Sequence, residues 1–341
     1  LNTENPTAAA EPVLVVGSSP HIHSGASVTR IMLDVVIALL PAAAAALFFF
    51  GWQAARLMTV CVATCLAAEW LCRRLMRREN SLGDLSALVT GLLLAFNLPP
   101  ALPSWMAAAG SLFAIAIAKQ VFGGLGYNPF NPALAGRAFL LISFTGPMTT
   151  WSASLIDATS TATPLGMVKE AFKAGAPAPF AMNGGLTLDF LLGNMNGCIG
   201  ETSALALLIG ALYLLYRRVI SWHTPVAFLG TAALYAAVLH AVNPAASMPV
   251  HFHLLTGGLV LGACFMATDM VTTPTTPRGR LIFGVGCGLL TMVLRTVKSG
   301  AYPEGVSFAI LIMNAFSPLI NRATRNHVFG AAEAAKREPR R

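Results

Sequence analysis

The chain has 341 residues, 55% of them apolar and only 11% charged, with 22 Lys and Arg against 14 Asp and Glu. A soluble domain carries roughly 25% charged residues. Half that supply cannot cover a water-facing surface, and the mean hydropathy of +0.67 points to an integral membrane protein. The basic residues fall in short clusters between apolar runs, a topological pattern rather than a nucleic-acid-binding stripe.

The first 26 residues, with Asn5-Pro6, Pro12 and Ser18 to His23, are polar and Pro-interrupted. That is unlike a cleavable leader, so the first apolar run is expected to anchor the chain. Windows of about 20 predominantly apolar residues then predict ten spans, near 29–50, 55–75, 82–98, 103–122, 132–149, 201–217, 224–242, 253–270, 280–297 and 304–320. With the N-terminus in the cytoplasm, only Arg56, Lys169, Lys173, Arg295 and Lys298 among the Lys and Arg fall outside. The positive-inside rule therefore puts both termini in the cytoplasm. The expected divisions are a cytoplasmic segment 1–28, a first five-helix repeat 29–149, an outer-face loop 150–200, a second repeat 201–320 and a basic cytoplasmic tail 321–341. The tail also suits contact with lipid headgroups.

The halves echo each other at an offset of about 170 residues: Trp52 and Trp222 each follow the first span of a half, and Leu88 to Asn97 parallels Val260 to Asp269. Both of the latter segments are short and run into prolines, at Pro99-Pro100 and Pro103 and at Pro274 and Pro277. Five spans per half is an odd number, so the second half enters from the opposite face. The expected fold is all-α, two inverted five-helix repeats with a broken helix in each, and such paired breaks point to a site near the midplane.

Intramembrane acids are functional candidates by default. Asp34 lies one turn into the first span, and Asp269 sits where the eighth breaks, with Asn97 as its counterpart in the other half. These three and Arg137 mark a candidate ion site. Glu201 and Glu304 read as first-turn acids favoured by the helix dipole, and Glu69 as an i,i+4 partner of Arg73. The six cysteines include no CxxC pair, and His21, His23, His251 and His253 are too few for a metal site, so no metal is expected. The chain also has no GxGxxG before a helix and no phosphate-binding loop.

The outer loop carries Asp157, Thr159, Ser160, Thr161, Ala162 and Thr163 ahead of Pro164. By composition alone these hydroxyls make turns or a helix cap. The order Asp-x-x-Ser-x-Ala-Thr, however, resembles a flavinylation motif in which FMN is joined to the last Thr through its phosphate. Further segments extend the resemblance: Ser19-Pro20-His21, Asn128-Pro-Phe-Asn-Pro-Ala-Leu-Ala-Gly-Arg137, Gly197-Cys-Ile-Gly-Glu-Thr-Ser203, Ala267-Thr-Asp-Met270 and Tyr302-Pro-Glu-Gly305. Together they resemble the RnfD/NqrB family of membrane subunits. That family holds the D subunit of the Rnf ferredoxin:NAD oxidoreductase and the B subunit of the sodium-translocating NADH:quinone reductase.

The resemblance implies covalent FMN on Thr163, with Asp157, Ser160 and Ala162 as motif residues, installed by a flavin transferase. It also implies a noncovalent riboflavin, for which Asn97, Asp269, Asp34 and Arg137 are then the candidate second-flavin residues, and a place beside the A, B, C, E and G subunits of Rnf in a bacterial inner membrane. The flavoprotein G subunit would be the partner at the outer face. On this reading the chain acts only within its complex. Thr161 stands where the family usually has Gly. The quinone-reductase subunit usually has a longer N-terminal arm, which favours the Rnf branch. Apart from the flavin motif, an inverted repeat with broken helices suits a urea-channel-like solute transporter equally well.

Overall fold

The computed structural model describes residues 27–151, 162–180, 182–244, 247–296 and 305–325, and these contain helices and no strand. The first half contains α1 (Val28–Phe50), α2 (Trp52–Leu75), α3 (Ser86–Phe96), α4 (Ser104–Leu112, continuing as a π-helix over Phe113–Gln120) and α5 (Pro132–Ser143). A short α6 (Thr145–Thr149) follows. The connecting region contains α7 (Pro164–Lys173) and α8 (Gly184–Leu192). The second half contains α9 (Ala204–Tyr216), α10 (His223–Val242), α11 (Val250–Leu255), α12 (Leu259–Leu261, continuing as a π-helix over Gly262–Met266), α13 (Pro277–Thr296) and α14 (Val306–Ala323).

Five of these helices, α1, α2, α10, α13 and α14, are long and apolar enough to cross a membrane. The 23 residues of α1 reach about 35 Å at 1.5 Å each, enough for a hydrocarbon core of about 30 Å. Ser27 caps its start by accepting from the Arg30 N–H, and Gly51, at φ 53°, turns the chain directly into α2. The other predicted spans are shorter or interrupted. The 132–149 span breaks at Phe144, between α5 and α6. The 253–270 span divides into α11 and α12 at Gly257 and Gly258, both of positive φ, a conformation that glycine adopts without steric cost. The connection between the halves holds two helices rather than one uninterrupted loop.

One packing scheme recurs in both halves. Helix α2 packs on α3 and α4 as α10 packs on α12 and α13; α5 packs on α4 and α3 as α14 packs on α13 and α12. The corresponding helices α1 and α9 meet each other, and so do α5 and α14. The same lipid-like apolarity on every face gives no hydrophobic drive between helices, so close backbone approach at small residues does the work. At Gly210 in α9 an added Cβ would collide with the Ala38 carbonyl of α1. Gly210→Val is therefore expected to force α1 and α9 apart at a cost of roughly 1–3 kcal/mol. The check is the heat-aggregation midpoint of the purified protein, which should fall.

A smaller cluster lies apart from the main core. Leu165 and Val168 of α7 join Phe190 of α8, Met195, Met248 and Phe252 of α11. This cluster docks the connecting region on the bundle.

Candidate functional site

The helix breaks are built from local chemistry. Helix α3 stops at Asn97, whose Nδ2 donates to the Leu93 carbonyl at 2.7 Å, satisfying one of the orphan carbonyls at a helix end. The side-chain oxygen accepts from Arg137 Nη1 at 2.6 Å. Nδ2 also lies 3.6 Å from Met266 Sδ, at the end of α12. Arg137 is buried in α5 and reaches Cys198 Sγ with Nη2 at 3.7 Å. It thus joins the broken end of α3 to the connecting region.

Asp269 lies beyond the end of α12. Its carboxylate accepts from the Val271 N–H at 3.3 Å and the Thr272 hydroxyl at 3.2 Å, and its carbonyl accepts from the Thr273 hydroxyl. It lines a cavity of about 80 Å³ together with Ser86, Thr90, Lys119, Asn128, Asn131 and Thr268. Asn131 caps α5 by accepting from the Ala133 and Leu134 N–H groups, with Pro132 in the first turn. Its Nδ2 donates to the Met266 carbonyl at 3.4 Å, so the start of α5 is fastened to the end of α12. Of the residues marked in the sequence, Asn97 and Arg137 come together, whereas Asp269 lies in a cavity that Asn97 does not line.

Asp34 lies away from this cavity wall. It accepts from the Tyr213 hydroxyl at 2.9 Å and from Arg217 Nη2 at 3.2 Å, fastening α1 to the end of α9. Glu69 corrects the expected i,i+4 pairing with Arg73. It is fully buried and pairs with Lys119 Nζ at 2.7 Å, while Gln120 Nε2 and the Ser81 hydroxyl donate to its other oxygen at 3.1 and 2.6 Å. Lys119 Nζ also donates to Ser86 Oγ at 2.6 Å. Arg73 instead lies against Gly124. The reason is the π-helical end of α4, which carries both Lys119 and Gln120 towards Glu69; such insertions re-aim side chains at functional positions. Sequence reasoning missed this network, although a lysine within an apolar span was a usable signal.

Glu201 is likewise not a first-turn acid. Helix α9 begins at Ala204 under a Ser203 cap, and the Glu201 carboxylate turns back to accept from the Cys198 N–H at 2.8 Å. Glu304, Asp157, Ser160 and Thr161 lie outside the described residues. Thr163 is the N-cap of α7: its Oγ1 accepts from the Gly166 N–H at 3.1 Å, Pro164 follows in the first turn, and Ala162 is half-buried. Lys169 donates to the Leu294 carbonyl near the end of α13 at 3.4 Å. Burial, with Lys173 nearby, pulls its ammonium below the usual lysine range. Helix α7 is thus anchored by both an apolar face and a polar contact. None of the six cysteines is joined in a disulfide, and no group of His, Cys, Asp or Glu among the described residues has the arrangement of a metal site.

Residues 15–330 match the NQR2, RnfD, RnfE family. The chain belongs to that family. Among its relatives is the D subunit of the Na(+)-translocating ferredoxin:NAD(+) oxidoreductase complex of Acetobacterium woodii, 46% identical over 326 residues, covering 95% of this chain and 97% of the relative. The D subunit of the proton-translocating complex from Clostridium ljungdahlii is 43% identical over 321 residues, covering 93% and 96%. The D subunit of an ion-translocating oxidoreductase complex from Stutzerimonas stutzeri is 43% identical over 329 residues, covering 89% and 92%. For a member of the NQR2, RnfD, RnfE family, the long apolar helices and paired helix breaks described above are the membrane part of the protein.

Proposed function

We propose that the chain is the D-type membrane subunit of a ferredoxin:NAD oxidoreductase complex that couples electron transfer to Na⁺ or H⁺ translocation, seated in a bacterial inner membrane with both termini cytoplasmic. Relatives named as D subunits of such complexes, matched along nearly their whole length, support the reading. The observation that carries the chain's own role is the placement of Thr163 at the start of α7, a helix docked firmly on the bundle.

The hydroxyl of Thr163 suits a phosphoester of FMN, and since the side chain is buried here its attachment requires the start of α7 to present it outward. Its oxygen stands at a helix N-terminus, where the helix dipole favours phosphate, although Pro164 has no N–H and that of Gly166 is bonded to Thr163 Oγ1 itself. When bound, the flavin supplies one-electron carriage, and the protein supplies position. Pro164 fixes the first turn of α7, while Leu165 and Val168 bury its inner face. Lys169 holds it to α13, which supports a fixed attachment point; on this reading that point faces outward, where the flavoprotein G subunit would meet it.

The resemblance also brings a noncovalent riboflavin. The cavity beside Asp269, at about 80 Å³ too small for the whole flavin, lines its wall with the amides of Asn128 and Asn131, the Ser86 hydroxyl and the Lys119 ammonium, groups suited to the ribityl hydroxyls alone. Asp269→Asn is expected to lower the riboflavin released on acid extraction while leaving the protein-linked FMN unchanged. Equal riboflavin in both proteins would remove the cavity from this role.

The function as a whole is tested by deleting this chain from its complex. Ferredoxin-dependent NAD reduction and cation uptake into inverted vesicles should both disappear and return with the restored chain. Coupled transport that persists without it would overturn the assignment.

A further inference from the structure

Two helices end in a way that costs them backbone strain. The end of α2 closes with the Arg77 N–H donating to the Arg74 carbonyl and the Arg78 N–H to the Arg73 carbonyl. The end of α9 closes in the same pattern, the Arg218 N–H donating to the Leu215 carbonyl and the Val219 N–H to the Leu214 carbonyl. Such closures put the residue just beyond the helix in the left-handed region, where glycine is the usual occupant. The chain places Gly193 there after α8, yet after α2 and α9 the residues are Arg77, at φ 53°, and Arg218, at φ 57°. A side chain held left-handed carries a steric cost. The negative end of the helix dipole accounts for Arg73 and Arg74 within the last turn of α2. It does not call for an arginine, in place of a glycine, at the strained position.

We propose that these two turns are binding sites for the phosphate of anionic phospholipids, with Arg77 and Arg218 kept in left-handed turns to hold a guanidinium at headgroup level. Both turns lie at one end of the bundle. The Thr29 hydroxyl at the start of α1 donates to the Gly83 carbonyl beyond α2, and Asp34 of α1 accepts from Arg217 at the end of α9. Helix α2 is long and apolar enough to cross a membrane, so its end marks the level of the headgroups. Trp70 before one turn, and Tyr216 and Trp222 around the other, are exposed, as amphipathic rings at that level are. Arg74 lies over the Trp70 ring at 5.3 Å. Arg73, Arg74, Arg77 and Arg78 put four guanidinium groups into six residues with no acid between them, a density that attracts anionic lipid when it directly follows a membrane helix. At the second turn Asp34 engages Arg217, which leaves Arg218 as the exposed charge. Among the described residues neither Arg77 nor Arg218 forms an ion pair. A planar guanidinium matches phosphate with two parallel donors. Both arginines are already exposed, so nothing has to open for a lipid to arrive, and neither flavin nor ion coupling enters the argument.

The test titrates phosphatidylglycerol, phosphatidylcholine and inorganic phosphate separately onto the full chain in neutral detergent, with binding read by native mass spectrometry. Phosphatidylglycerol should bind more tightly than phosphatidylcholine, and inorganic phosphate should not bind at matching concentration. Arg77→Gly and Arg218→Gly should each weaken phosphatidylglycerol binding roughly fivefold, the worth of one basic residue at an anionic surface, and leave phosphatidylcholine unchanged. Glycine adopts the left-handed turn without steric cost, so the heat-aggregation midpoint of both variants should hold or rise. An arginine kept for structure would give the reverse, a lower midpoint with lipid affinity intact, and that result would overturn the proposal. Arg77→Lys keeps the charge and should retain most of the preference. Equal affinity for the two lipids in the unsubstituted chain, a comparison that needs no variant, would also overturn it. Inorganic phosphate bound as tightly as phosphatidylglycerol would make the turns sites for a free anion and remove the lipid.

Discussion

Thr163→Val is expected to abolish covalent flavin: fluorescence of the denatured chain on a gel should fall from stoichiometric to background, and the FMN mass increment should vanish from the loop peptide. The substitution removes two things at once, the hydroxyl that would carry the phosphoester and the oxygen that caps α7. Their magnitudes separate them. Losing an N-cap costs about 1 kcal/mol, and α7 retains its buried Leu165 and Val168 and the Lys169 contact, so the fold should survive. Absence of flavin from a protein that still assembles therefore reports lost attachment chemistry rather than lost structure. Thr163→Ser keeps both the cap and a hydroxyl and should assemble like the unsubstituted chain. Peptide mapping also decides between Thr163 and Thr161, the residue standing where the family usually has Gly. An FMN increment on Thr161, or none on either residue, would sink the assignment of Thr163.

The long helices were legible because a span announces itself through continuous apolarity: α1, α2, α10, α13 and α14 lie within a few residues of their predicted bounds. The ends of the short segments at Asn97 and Asp269 were legible from the prolines that follow them, although Pro41 and Pro318 are accommodated inside α1 and α14; the division of the 253–270 span at Gly257 and Gly258 was not read. The site was less so. Glu69 and Lys119 are fifty positions apart, and no periodicity reveals a pair set by helix packing. The i,i+4 rule offered Arg73 as a local partner, but burial of Glu69 and the π-helical end of α4 favoured Lys119. Asn97 and Asp269 correspond by position in the repeat, yet correspondence under an inversion does not make two residues neighbours. The α7 start was present in the sequence as a Thr-Pro cap signal. It was hidden because a short helix outside the membrane leaves no hydropathy trace.

Lys119→Met is the second substitution expected to have a large effect, through stability rather than cofactor. It leaves the Glu69 carboxylate fully buried with only the Ser81 hydroxyl and the Gln120 amide as donors. Removing one partner of a buried ion pair costs roughly 3–5 kcal/mol, because an uncompensated charge stays behind. Against a total stability of about 5–15 kcal/mol this is enough to deplete assembled protein, measured as complex recovered after mild detergent extraction and as its heat-aggregation midpoint. The pair as such is worth much less, since both charges were first taken out of their aqueous surroundings. Glu69→Leu combined with Lys119→Met should therefore recover most of the lost stability, as replacement of a whole buried pair by apolar groups is commonly near neutral. Recovery in the double variant would show that the network is retained for something other than folding, which fits its place on the wall of the Asp269 cavity. If the double variant were as unstable as the single one, the Glu69–Lys119 pair would instead be a structural anchor between α2 and the π-helical end of α4.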